Sequence, residues 1–251
     1  MYSFIHDVKQ VKRFHKILAT LGRDEAYFLS ASARNKYLTK EERDDLSLGR
    51  SEMFARKLVK SNLFEEYLRV LRTFETNEGS YTTRVHKDMP QKCMVIYANI
   101  NPSSGVQALK EFNNITNDLL FELQTNKNAI ERFAHLDSEL MNCFQRSMGN
   151  KHFIDVDFDI TKQNVSILMD FCKSMWAHGV ALHIIETAGG YHVLMVRKSL
   201  TFNYNSDIEI ASKKLSNITD KGEVVVNVNN MVPVPGTMQA GFPVKFLETK
   251  K

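Results

Sequence analysis

Phe153-Ile154-Asp155-Val156-Asp157-Phe158-Asp159 alternates acids with apolar residues over the length of a strand. Side chains of a β-strand point to opposite faces with a period of two. Ile154, Val156 and Phe158 therefore share a face that buries, and Asp155, Asp157 and Asp159 line the other. Carboxylates held side by side repel, and one takes up a proton unless a cation sits among them. Hard divalent cations take oxygen ligands, commonly one or two carboxylates together with substrate phosphates. An Asp-x-Asp strand is thus a seat for metal-assisted phosphoryl transfer. An edge strand with solvated acids is the alternative reading, and Asp is disfavoured in strands.

The sequence on the C-terminal side of this strand predicts a complete unit. Thr161 is placed as a helix N-cap, and Val165, Leu168, Met169, Cys172, Met175 and Trp176 recur at helical spacing up to Gly179. A strand over 180–187, a hairpin turn at Ala188-Gly189-Gly190 and a strand over 191–197 follow. A weaker helix near 206–217 and a strand over 223–229 complete a β-α-β-β-α-β order, the ferredoxin-like arrangement. In such a sheet the acid strand is central and neighbours the third strand, which brings His192 beside the acids. Helices back one face, and the other is left for chemistry.

On the N-terminal side, residues 1–75 read as helices. Ile5, Val8, Phe14, Ile17, Leu18 and Leu21 recur at helical spacing, as do Phe64, Tyr67, Leu68 and Leu71, and Met53, Phe54 and Leu58 form a further apolar face. Thr39 and Glu42 have the spacing of a capping box. The turn-rich stretch 76–80 is the predicted internal boundary. Residues 92–99 read as a buried strand ended by a turn at Asn101-Pro102, with helical patterns to about 125 and over 127–147. The fold class expected is α+β: a helical N-terminal region over 1–90, a small α/β module over 91–150 and an RRM-like module over 151–251.

Bulk composition narrows the function classes. The chain of 251 residues is 43% hydrophobic and 25% charged, an ordinary globular balance. Its net charge of +4 permits a nucleic-acid partner without requiring one. Cys93, Cys143 and Cys172 form no Cys-x-x-Cys pair, which argues against a zinc knuckle built on that pair. The odd count, with no signal peptide, fits a reducing cytosol. No apolar run reaches the roughly 18 residues that span a bilayer, so no membrane partner is expected. There is no Gly-x-x-x-x-Gly-Lys phosphate loop and no helicase motif.

Asp155-x-Asp157, the 187–192 segment ending in His192, the valine-rich strand with a polar face and the turn Pro235-Gly236-Thr237 together resemble the archaeo-eukaryotic primase and primase-polymerase superfamily. Residues 97–103, Tyr-Ala-Asn-Ile-Asn-Pro-Ser, look like the strand and Asn-Pro turn that open that family's N-terminal module. The resemblance covers about residues 91–246. It implies a template-dependent nucleotidyltransferase of DNA replication. Asp155 and Asp157 would be the catalytic acids and would hold Mg²⁺ or Mn²⁺. Thr187, Gly189, Gly190 and His192 would bind the incoming NTP or dNTP. A single-stranded DNA template would be held by basic residues, with Arg84, Lys87, Arg197 and Lys198 as candidates. A separate helicase would unwind the duplex. The expected location is the cytoplasm, the host's if the chain is viral.

One departure stands against this pattern. The family's third motif normally puts another acid on the last strand, and that face here reads Glu223, Val225, Asn227, Asn229. Glu223, Asp159 or Asp220 supplies the extra carboxylate, or the site is degraded and the protein only binds nucleic acid or a replication partner. Two further readings use the same residues. An RNA-binding module of this topology would stack bases on Phe153 and Tyr191, and a metal-dependent nuclease would need only the acids.

Overall fold

The computed structural model describes residues 1–49, 51–83, 85–126, 129–147, 149–160, 164–217, 223–227 and 231–247. Along the chain, α1 (Val8–Ile17) precedes β1 (Glu25–Arg34), α2 (Lys40–Leu46), β2 (Ser51–Val59) and α3 (Phe64–Arg72). Next come β3 (Met94–Asn99), the short β4 (Ser103–Ser104), α4 (Gly105–Thr125), α5 (Ala129–Phe133) and α6 (Leu136–Arg146). Then follow β5 (Phe153–Asp159), α7 (Val165–Ala177), β6 (Leu182–Glu186), β7 (Tyr191–Val196), α8 (Asn205–Ser216) and β8 (Glu223–Asn227). The short strands β9 (Met231–Pro233), β10 (Met238–Gln239), β11 (Phe242–Pro243) and β12 (Lys245–Phe246) close the described chain. The class is α+β.

The first 75 residues are not all helical, which corrects the reading of 1–90 as a helical extension. The capping box holds: Thr39 Oγ1 accepts from Glu42 N at 3.2 Å, and Glu42 accepts from Thr39 N at 2.9 Å. α3 also lies where its apolar spacing puts it. Residues 25–34 and 51–59, however, are strands. Glu25–Arg34 is buried along nearly its whole length, and an apolar run buried on both faces carries no period by which to tell strand from helix.

The partner that decides for β1 is distant in sequence. β1 pairs with β2 on one side and with β3 on the other, Ser30 opposite Tyr97. β9 adds to β3, Ala98 opposite Val232, giving the order β2-β1-β3-β9. The break at 76–80 therefore separates no two units, and the predicted three-part division does not hold. Sheet one draws strands from each of the three segments.

The second sheet has the order β12-β6-β7-β5-β8, with every neighbouring pair antiparallel. The elements predicted over 152–229 are found, with ends shortened by a few residues; Thr161 and Asn229 lie outside the described residues. Val156, Phe158, Val193 and Met195 on one face pack against Ile167, Leu168, Phe171 and Met175 of α7 and Leu215 of α8.

The opposite face is not open throughout. Phe153, Leu194, Ile185 and Phe246 join one core with Val11 and Phe14 of α1, Leu29, Ile96, Val232 and Val234. The two sheets thus share a core, and the acid row of β5 runs out of it. Phe153 and Asp155 are buried, Asp157 is partly exposed and Asp159 is exposed. The turn at Pro235-Gly236-Thr237 pins α1 to this core, because His6 N and Asp7 N donate to Gly236 O at 2.8 and 3.0 Å. Thr237 is fully buried and donates to Val234 O at 2.7 Å, so its role is in the turn. Among the described residues, no helix is long and apolar enough to cross a membrane.

Candidate active site

Register builds the site. Asp157 lies opposite His192 of β7, and Asp155 opposite Leu194. Residues directly opposite in an antiparallel pair share a face, so the imidazole stands among the acids. His192 Nδ1 is 3.0 and 3.2 Å from the two carboxylate oxygens of Asp155 and 3.8 Å from Asp157 Oδ1. Burial on its own would drive the proton off His192. The Asp155 carboxylate, by charge and hydrogen bond, and Asp157 behind it overcome that, and the pKa is pushed up to about 9. At neutral pH an imidazolium therefore donates to Asp155. The Asp157 carboxyl is raised, chiefly by burial and further by Asp155 and Asp159, while His192 and Lys36 pull it down.

Two local devices hold β5 in place. Asn101 Oδ1 accepts from His152 N at 2.7 Å and Phe153 N at 2.9 Å, and its Nδ2 donates to Phe153 O at 3.0 Å. The side chain so acts as a strand neighbour for the start of β5. At the other end, Thr187 Oγ1 donates to Gly190 O at 3.1 Å and accepts from Gly189 N at 3.3 Å, closing the turn. Gly190 has φ +151°, and a Cβ there would lie 2.0 Å from Phe158 O. Gly190→Ala should therefore cost about 2–4 kcal/mol of stability through strain and overpacking. Denaturant unfolding checks this, and a wild-type midpoint for the variant would refute the close approach.

The facing wall comes from sheet one. Arg34 Nη1 donates to Tyr97 Oη at 3.1 Å. Lys36, one turn beyond β1, lies over the Tyr37 ring with Nζ 5.4 Å from its centroid. Tyr37 and Tyr97 both have raised pKa values, first from burial, and both feel the Asp157 charge. Gln239 Oε1 accepts from Ala188 N at 2.9 Å, tying β10 to the glycine turn. Sequence reasoning missed Arg34 and Lys36 because it placed them among helices. The only local signal was a basic pair at the end of a buried apolar run.

Other predicted residues stand elsewhere. Lys87 is ion-paired with Asp45. Arg197 and Lys198 form a turn after β7, and Arg197 lies five positions past His192, on the order of 16 Å along an extended chain. These three cations are not brought to the acids. Arg84 and Asp220 lie outside the described residues. Glu223 pairs with Asp159 through the backbone, and its side chain is outside the description. His178 Nδ1 is 2.9 Å from Ser174 O at the end of α7, so this histidine serves the helix terminus. Phe153 and Tyr191 are buried, so neither offers an exposed face for stacked bases.

Among the described residues, no group of three His, Cys, Asp or Glu is disposed to hold a metal ion. Asp155 and Asp157 nevertheless suit one hard divalent cation by chemistry, as two oxygen donors on one strand face. His192 Nδ1 already lies against both acids, so a cation held by Asp155 and Asp157 would share them with the imidazolium. On β8, Asn227 is opposite Asp155 and Val225 opposite Asp157, so no acid flanks the pair from that side. Fold and site define the class: an α+β protein with a carboxylate–imidazolium cluster at the margin of the core that two sheets share. No family model, curated protein or solved structure matches the chain.

Proposed function

We propose that the chain is a template-dependent nucleotidyltransferase of the primase or primase-polymerase kind, with β5 to β8, α7 and α8 forming an RRM-like catalytic module. The observation that carries this reading is the register that sets Asp157 opposite His192, with the buried Asp155 hydrogen-bonded to the same imidazole and the acid row running out to solvent at Asp159. Asp155 and Asp157 would hold Mg²⁺ or Mn²⁺, which when bound neutralises charge on the phosphates and activates the attacking hydroxyl. His192, kept protonated by Asp155, offers a cation to a phosphate oxygen. The lack of a Cβ at Gly190 lets the turn close on Phe158 O and at Gly189 leaves room for the Lys36 amine, and the turn so held would present its backbone to substrate. The Thr187 hydroxyl is spent on the turn and serves by holding it. The partners of this reading are an NTP or dNTP, a single-stranded DNA template and a separate helicase, at a cytoplasmic site of replication.

Val225 opposite Asp157 and Asn227 opposite Asp155 favour a second reading, a degraded relative that binds nucleic acid or a replication partner without catalysis. Extension of a labelled primer on a single-stranded template, with Mg²⁺ or Mn²⁺ and all nucleotides, separates the two. Wild type should lengthen the primer, and Asp157→Ala should abolish the product. No product from folded wild-type protein that still binds single strands selects the binding-only reading. A primer that shortens identifies a nuclease.

A further inference from the structure

Asn35–Tyr37 is a single 3₁₀ turn that follows β1 and brings Lys36 to the glycine turn of the other sheet. A Cβ at Gly189 would meet Lys36 Nζ at 2.8 Å and would lie 4.0 Å from Asp159 Oδ1. The amine therefore occupies space that any other residue at 189 would claim. Its charge is felt at Asp157 and at His192. Arg34, two residues back, is steadied by Tyr97 and has donors to spare. Among the described residues neither cation forms an ion pair. An exposed lysine thus stands by the acid row, and a half-buried arginine stands behind it on Tyr97, whose hydroxyl feels both that arginine and Asp157, with neither cation in an ion pair.

We infer that Lys36 and Arg34 form a polyphosphate-binding wall, with the anionic tail of a nucleoside triphosphate lying between them and the acid row against the Gly189 turn. This rests on the nucleotidyltransferase reading for the identity of the anion. The guanidinium fork matches phosphate oxygens in pairs, and the ammonium adds a mobile point charge. A phosphodiester strand laid along the acid row would bring fewer charges per phosphate and no bound divalent cation of its own to Asp157 and Asp159. A triphosphate arrives with its own divalent cation, which those acids attract.

The test is calorimetric titration of the full chain with inorganic tripolyphosphate, once with Mg²⁺ and once with EDTA. Wild type should bind in both buffers. Lys36→Ala should weaken binding about tenfold in each, close to 1.4 kcal/mol, and Lys36→Arg should stay within about twofold. The unfolding midpoint of Lys36→Ala should not move, because the side chain is exposed. Arg34→Lys, which loses the fork, should weaken binding as well. Wild-type affinity in both Lys36→Ala and Arg34→Lys, or no binding by wild type in either buffer, overturns the inference. Asp157→Asn separates it from the catalytic reading. If that variant keeps Lys36-dependent binding and Mg²⁺ adds nothing in either protein, the metal reading fails and the wall stands. If Lys36→Ala leaves Mg²⁺-dependent binding and primer synthesis intact, the wall is removed and catalysis stands.

Discussion

Asp155→Ala should lower the unfolding free energy by about 3–5 kcal/mol, the usual cost of removing one partner of a buried ion pair. Asp155 is fully buried and His192 nearly so, and the two are joined by a hydrogen bond of 3.0 Å. Without the carboxylate, the imidazole must either stay charged in a dry site or give up its proton. Asp157, at 38% side-chain exposure, keeps contact with water, so Asp157→Ala should cost far less stability while removing activity. The sign of the pH dependence follows from the pair. A histidine whose folded pKa is about 9 against an ordinary 6.5 adds stability that is fully present below pH 6.5 and lost as pH rises through 9. That contribution is roughly 3 kcal/mol. Denaturant unfolding between pH 6 and 10 should show the fall in wild type, and His192→Gln and Asp155→Asn should flatten it. A wild-type curve no steeper than that of His192→Gln would dismiss the imidazolium.

Asn101→Ala should cost about 2–4 kcal/mol and loosen the acid strand. The side chain makes three hydrogen bonds to the backbone of residues 152 and 153, and Asn101 is 3% exposed. Each buried backbone group left without a partner costs about 1–3 kcal/mol. β5 begins at Phe153, so its anchor sets where Asp155 and Asp157 stand. A displacement near 1 Å at reacting groups costs on the order of a hundredfold in rate. Primer extension by Asn101→Ala, measured below its melting range, should fall accordingly while Asp155 and Asp157 remain present. Asn101→Asp keeps the acceptor but loses the donor to Phe153 O, so its stability should be intermediate. An alanine variant within about 0.5 kcal/mol of wild type, the range of an unremarkable surface change, would show that β5 needs no such anchor.

Much of the second sheet was legible in the residues. The strict alternation at 153–159, the helical spacing over 165–176, the glycine turn before Tyr191 and the capping box at Thr39 are local patterns, written in neighbouring side chains that settle their own backbone. Strand order then placed His192 beside the acids before any coordinate did. Of sheet one, β3 was legible as the apolar run at 92–99, but β1 and β2 were read as helix. Glu25–Arg34 is buried along its length and has no period to betray it, and its partners lie at 51–59 and 94–99, with β9 arriving from 231–233.

The sequence by itself determined which face of β5 carries the acids and which unit they belong to, because side-chain alternation follows from backbone geometry alone. Only the tertiary structure decided that Asp155 is buried against an imidazolium, and that Lys36, on the turn after a strand of the other sheet, comes to the acid row. Burial, pKa and the meeting of opposite charges depend on distances between chain segments, 37 residues apart for Asp155 and His192 and more than a hundred for Lys36 and Asp157, and those distances are set by packing, to which no local pattern is sensitive.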